Sequence, residues 1–108
     1  MIVRAILEDA TKLTEIALAS KAYWGYTSEQ IESWREDLTV TSEMFEKWHI
    51  YKFVSDNKIE GFHILNLEKP DELCELKFLF ISPDFIGKKV GSSLLKHAFQ
   101  LAKEMIKL

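Results

Sequence analysis

Gly87 and Gly91 bracket the residues of this chain best suited to chemistry. The run Phe80-Ile81-Ser82-Pro83-Asp84-Phe85-Ile86-Gly87-Lys88-Lys89-Val90-Gly91-Ser92-Ser93-Leu94-Leu95 takes an apolar strand into Pro83, then a short glycine-containing loop, then an amphipathic helix. That layout aims backbone N–H groups at one point, at the positive end of a helix dipole, and a phosphate is the natural occupant of such a point. The expected donors are the N–H groups of Lys88 to Ser93, with the hydroxyls of Ser92 and Ser93 beside them. Lys88-Lys89 adds local positive charge. Two glycines alone also suit a turn and a close helix–strand contact, so it is the order of the surrounding elements that carries the phosphate reading.

Other reactive side chains point nowhere so definite. Cys74 reads as a small buried hydrophobe, because no His or other base stands at a diagnostic spacing from it. His49, His63 and His97 are scattered and no pair has metal-ligand spacing, so no metal site is expected. Trp34 and Trp48 are most simply core.

The chain of 108 residues supports one domain, 1–108, with one modest core. Its net charge of −3 argues against a general nucleic-acid-binding surface. The single cysteine allows no internal disulfide. No apolar run approaches the ~20 residues of a membrane helix. The start, Met1-Ile2-Val3-Arg4-Ala5-Ile6-Leu7-Glu8-Asp9, turns acidic too early for a signal peptide. These features fit a cytoplasmic protein without membrane or nucleic-acid partners.

The positioning elements follow from periodicity. Ile2 to Leu7 reads as a short strand. Asp9 can cap a helix in which Leu13, Ile16, Ala17, Ser20 and Trp24 keep helical spacing, and Gly25 ends it. Thr27-Ser28-Glu29-Gln30 has the form of a capping box, ahead of a helix with Ile31, Trp34 and Leu38 inward. Thr41 caps a short helix from Ser42 to Trp48. Strands follow over Ile50 to Ser55, Ile59 to Leu67 and Leu73 to Ile81, with turns at Asp56-Asn57-Lys58 and Lys69-Pro70-Asp71-Glu72. Short connections make these neighbours antiparallel. Apolar residues on both faces, as in Phe78-Leu79-Phe80-Ile81, imply helices on both sides of the sheet. The last helix turns Val90, Leu94, Ala98, Leu101, Ala102 and Met105 to one face.

The resulting class is α+β, an α/β sandwich of order β-α-α-β-β-β-α with a mixed, largely antiparallel sheet. That order and the loop residues resemble the GCN5-related N-acetyltransferase (GNAT) family. Its motif reads Gln or Arg, two residues, Gly, one residue, then Gly or Ala. Here Ile86, Gly87-Lys88, Lys89, Val90 and Gly91 stand at those positions. A variant of the motif, Tyr-Ile-Gly-Lys-Gly-Ile-Gly, is matched by Phe85-Ile86-Gly87-Lys88-Lys89-Val90-Gly91, with Lys89 replacing the central Gly. Lys21-Ala22-Tyr23-Trp24-Gly25-Tyr26-Thr27 looks like the family's first helix and substrate-side loop. The resemblance covers the whole chain but only the N-terminal two-thirds of the family fold, without its C-terminal strands.

The resemblance implies acetyl-coenzyme A as cosubstrate, its pyrophosphate on the Ile86–Ser93 loop and its pantetheine arm paired along Leu79, Phe80 and Ile81. It implies acyl transfer to a small-molecule or peptide amine. Lys89 would either crowd the ligand or attract it by charge, and its position can force φ > 0 on a non-Gly residue. Tyr23, Trp24 and Tyr26 could line an acceptor pocket, with core packing an equal alternative for Trp24. Family members often place an acidic base on this strand. Glu75 matches, and by alternation shares a face with Lys77, Leu79 and Ile81. The plain alternative is a surface pair with Lys77. The family's Tyr acid has no counterpart, since Tyr23, Tyr26 and Tyr51 match no such motif.

Without a following strand, the apolar segment Leu73 to Ile81 would be a sheet edge, which invites pairing with another chain. Either a longer enzyme or a homodimer would cover it. The two function classes are therefore an acetyl-coenzyme-A-dependent N-acetyltransferase, or its coenzyme-binding part, and a non-catalytic self-associating module with a degenerate coenzyme site.

Overall fold

Phe62 and Ile64 lie at the centre of the molecule, fully buried on the third strand of a four-stranded sheet. The computed structural model describes residues 1–67 and 75–105. The strands are β1 (Ile2–Arg4), β2 (His49–Ser55), β3 (Lys58–Asn66) and β4 (Glu75–Ile81), in the order β1-β2-β3-β4, and every described pairing is antiparallel. The helices are α1 (Ala10–Tyr23), α2 (Ser28–Leu38), α3 (Ser42–Lys47) and α4 (Val90–Met105), with 3₁₀ turns at Leu7–Asp9 and Pro83–Phe85. The expected order of elements is therefore present; β2 and β3 begin one residue earlier than expected, and the first strand, expected to reach Leu7, stops at Arg4 because Leu7 already belongs to the 3₁₀ turn. The expected turn at Lys69-Pro70-Asp71-Glu72, the residues Leu73 and Cys74, and the packing of Met105 lie outside the described residues.

Sequence chemistry explains the joints. Thr27 Oγ1 accepts from the Gln30 N–H at 3.1 Å, and Gln30 Oε1 accepts from the Thr27 N–H at 2.9 Å, so the capping box starts α2. Thr41 Oγ1 accepts from the Met44 N–H at the start of α3. Gly25, at φ 90, lets the chain leave α1. Asp56 and Asn57, at φ 51 and 64, form the two-residue turn that joins β2 to β3, a conformation their short polar side chains tolerate.

Asp9 does not cap α1 with its side chain. Its carboxylate instead accepts from the Ile6 N–H at 2.9 Å and from Lys52 Nζ at 2.7 Å, tying the 3₁₀ turn to β2. A half-buried ammonium is the stronger partner for a carboxylate than a helix N–H.

β3 is buried on both faces, with Glu60 and His63 enclosed among its apolar residues. One face carries Phe62 and Ile64 against Leu13, Ile16 and Ala17 of α1, with Ile50, Leu38 and Val40 completing the cluster. Trp34 and Trp48 pack on its margin, half-buried. The other face meets α4, whose Val90, Leu94 and Ala98 are buried. At Gly61 the approach is so close that an added Cβ would lie 2.9 Å from the Phe80 carbonyl oxygen and 3.0 Å from Leu94 Cδ1.

A polar pair sits inside this second interface. His63, wholly buried on β3, places Nε2 2.9 Å from Nδ1 of His97 on α4, and the Tyr51 ring flanks both imidazoles. Burial, then the neighbouring His97, pushes His63 down to about 4. His97 is lowered as well, by burial, with Glu104 opposing the shift. No described residue partners His63 Nδ1. Among the described residues no helix is long and apolar enough to cross a membrane.

Candidate functional site

The loop between β4 and α4 is built by its backbone. Ser82 and Pro83 accept from the N–H groups of Phe85 and Ile86, which winds the 3₁₀ turn and presents Gly87 at φ 88. Lys89 follows at φ 64, the left-handed conformation its place in the loop suggested. The first bond of α4 runs from the Ser93 N–H to the Lys89 carbonyl at 3.1 Å. The N–H groups of Val90, Gly91 and Ser92 are thus the open donors of the helix start. The Lys88 N–H donates to the Phe85 carbonyl at 3.3 Å, so Lys88 and Ser93, at the two ends of the expected donor run, are already engaged. Ser92 Oγ donates to the Lys89 carbonyl and steadies the turn.

A groove of about 550 Å³ opens beside this loop. Its loop end is lined by Phe85, Ile86, Gly87, Lys89, Gly91 and Ser92. Its far wall is Leu79 and Ile81 of β4, Leu95 of α4, and Ser20 and Trp24 from the end of α1. Val90 lies beneath it, buried, and Lys88 leans over the Phe85 ring at 5.5 Å. Gly91 leaves ordinary space, since an added Cβ would sit 3.6 Å from Ile81 Cδ1. Ser20, Phe85 and Leu95 were not anticipated as lining residues. Ser20 did carry a signal, as a polar residue on an otherwise apolar helix face, and Leu95 stands one helical turn beyond Gly91.

β4 pairs with β3 alone among the described strands. Leu79 and Ile81 line the groove, whereas the Phe80 ring packs on the α1 side against Phe62 and Phe78. The groove therefore passes across the outer edge of β4, from the α4 side to the α1 side.

Glu75 does not share the Leu79 and Ile81 face. The β3–β4 register slips between Ile64↔Phe78 and Leu65↔Leu76, leaving Lys77 as an extra residue. Such a bulge resets the alternation and turns Glu75 to the side of Phe78 and Phe80. Glu75 Oε2 lies 3.4 Å from Lys77 Nζ, which sits 4.8 Å from the Trp48 ring centroid. Glu75 does not line the groove.

The aromatic segment divides. Trp24 lines the groove and is 66% exposed, because α1 ends at Tyr23 and the helical phase that would bury it stops there. Tyr23 meets Trp24 edge-on, while Tyr26 packs edge-on against Trp34 at 5.0 Å. Among the described residues no group of three or more His, Cys, Asp or Glu side chains could hold a metal ion.

This arrangement offers a phosphate-type cradle and an apolar slot beside a sheet edge that has no partner strand among the described residues. Those residues fit coenzyme A, a ligand with phosphates at one end and an amide-bearing arm at the other.

Comparison with known proteins agrees. The sequence profile described as the Acetyltransferase (GNAT) family matches residues 10–108. No curated protein sequence matches significantly. The fold is similar to that of a PaiA N-acetyltransferase from Thermoplasma acidophilum, solved in complex with coenzyme A, at TM-score 0.81 and 27% identity, covering 96% of this chain and 72% of that one. A GCN5-related N-acetyltransferase from Rhodopseudomonas palustris is similar at TM-score 0.74 and 24% identity, covering 94% of this chain and 64% of that one. A GNAT-family protein from Staphylococcus aureus is similar at TM-score 0.61 and 17% identity, covering 96% of this chain and 92% of that one. With nearly its whole described length inside the family profile and the fold in agreement, the chain belongs to the GNAT acetyltransferase family.

Proposed function

We propose that the protein is an acetyl-coenzyme-A-dependent N-acetyltransferase acting on an amine. The observation that carries this reading is the groove that joins the α4 cradle to the α1 side across the β4 edge. Val90, Gly91 and Ser92 would hold the pyrophosphate by their N–H groups, with Lys88 and Lys89 adding charge. The outer edge of Leu79, Phe80 and Ile81 would pair with the pantetheine arm as an added strand. Bound acetyl-coenzyme A would supply an acetyl thioester, whose C–S bond gives way to a C–N bond with the amine. Trp24, with Tyr23 and Tyr26, would wall the acceptor side. Glu75, on that same side of the sheet, would take the amine proton through water.

Calorimetry with coenzyme A tests the site. Gly91→Ala has room for its methyl and should bind within about twofold of wild type, while Gly91→Asp sets a negative charge beside the phosphates and should weaken binding at least tenfold, roughly 1.4 kcal/mol. Equal binding by Gly91→Asp and wild type would remove the pyrophosphate from this loop.

A second reading is a self-associating module with a degenerate coenzyme site. It is favoured by Lys89, a side chain where the family motif has none, and by the distance of Glu75 from the groove lining. Release of free thiol that depends on added amine separates the two. The lone cysteine accords with a reducing compartment, which supports a cytoplasmic location under either reading.

A further inference from the structure

Lys21, on the last turn of α1, is half-buried and has an unusual set of partners. Its Nζ lies 5.2 Å from the Tyr26 ring centroid, 5.4 Å from that of Trp34 and 5.9 Å from that of Phe80. Among the described residues no carboxylate pairs with it. Its ammonium is held by three aromatic rings, two of which, Tyr26 and Trp34, stand nearly perpendicular at 78° and form a corner. Three rings around one cation is the arrangement that recognises organic ammonium groups, because each ring face carries negative electrostatic potential.

The cage also lies where an acceptor would arrive. Phe80 sits between Leu79 and Ile81, and Lys21 follows Ser20, all three neighbours being groove-lining residues. The cage is on the α1 side of β4, opposite the α4 cradle, and its mouth is open, since Tyr26 is 41% exposed.

We infer that Tyr26, Trp34 and Phe80 form a cation subsite for the acceptor, and that Lys21 is its internal occupant, displaced when the acceptor binds. The inference deepens the acetyltransferase reading and rests on it for the word acceptor. The caged group is not the nitrogen that reacts. A ring cage favours the charged form of an amine, whereas the reacting nitrogen must shed its proton. The acceptor is therefore an amine that carries a further ammonium or quaternary ammonium group.

The probe is tetramethylammonium, followed at the Trp34 indole N–H by NMR, with acetyl-coenzyme A absent. Wild type keeps Lys21 in competition, and Lys21→Met keeps the apolar stem without the charge. Lys21→Met should bind the probe about tenfold more tightly than wild type, and the added change Tyr26→Leu, which keeps the Trp34 reporter, should abolish that gain. In wild type the Lys21 ε-methylene protons should show a ring-current upfield shift that saturating probe reverses. A folded Lys21→Met that leaves the Trp34 signal unmoved would overturn the subsite. Should Lys21→Met not fold, an unshifted or probe-insensitive Lys21 methylene in wild type would overturn it alone. Neither measurement involves acetyl transfer, so an inactive enzyme with a probe-binding cage would fault the proposed function and not the cage.

Discussion

Lys89 holds a backbone conformation that costs an L-residue about 1–2 kcal/mol. Glycine there would relieve that strain and return about 0.4–1 kcal/mol of it as unfolded-chain entropy. Lys89→Gly should therefore stabilise the fold by roughly 0.5–1 kcal/mol in urea unfolding. It should also tighten coenzyme A, because crowding by the side chain outweighs its charge. A looser complex with a flatter salt dependence would show the reverse. His63 gives a pH dependence of definite sign. Its folded-state value of about 4 lies below the ordinary 6.5. Between those values the unfolded chain takes up a proton that the fold refuses, so stability present above pH 6.5 is lost on acidification. Unfolding at pH 5 should show a loss of about 2 kcal/mol relative to pH 7, and His63→Leu should flatten that slope. The residue types at the loop were legible in the sequence, down to the left-handed Lys89. The orientation of Glu75 was not, because one bulge at Lys77 inverts the parity on which alternation depends.

At the level of elements, the signals that survived are those encoded within a few residues. Thr27 with Gln30, and Asp56 with Asn57, act on their own backbone, so their meaning does not depend on tertiary packing. Trp24 shows the opposite case. Its spacing from Ser20 marks an inner face, but α1 stops one residue short and the ring turns outward. Gly61 gave no sequence signal at all, because its reason is the carbonyl of another strand. Gly61→Ala must push either β4 or Leu94 aside and should destabilise the protein by about 1–3 kcal/mol in chemical denaturation, despite the smallest possible change in side chain. Since Phe80 and Leu94 are the chain neighbours of the groove-lining Leu79, Ile81 and Leu95, the same variant should weaken coenzyme A binding.

For the molecule as a whole, the sheet is asymmetric in its protection. The outer edge of β4 has no described neighbour, and Leu76 and Phe99, 42% and 65% exposed, lie on the strand and helix beside it. Covering a few hundred Å² of such surface contributes on the order of 5–10 kcal/mol before association costs. A two-fold homodimer through the Leu76–Phe78 part of β4 would cover that surface and leave Leu79–Ile81 to the pantetheine arm, and sedimentation at micromolar concentration is expected to show it. A monomer that transfers acetyl groups rapidly would contradict this.

That half-satisfied strand also carries its own reporter. In an antiparallel ladder only alternate residues bond to a given neighbour, so every other amide of β4 faces outward and the rest face β3. Deuterium should enter the outward set quickly and the inward set slowly, giving a two-speed, odd–even record along Phe78–Ile81 that changes phase at the Lys77 bulge. A ligand arm laid near the loop would slow only the outward amides around Leu79 to Ile81. A second copy of the chain would slow the outward amides toward the Leu76 end of the strand.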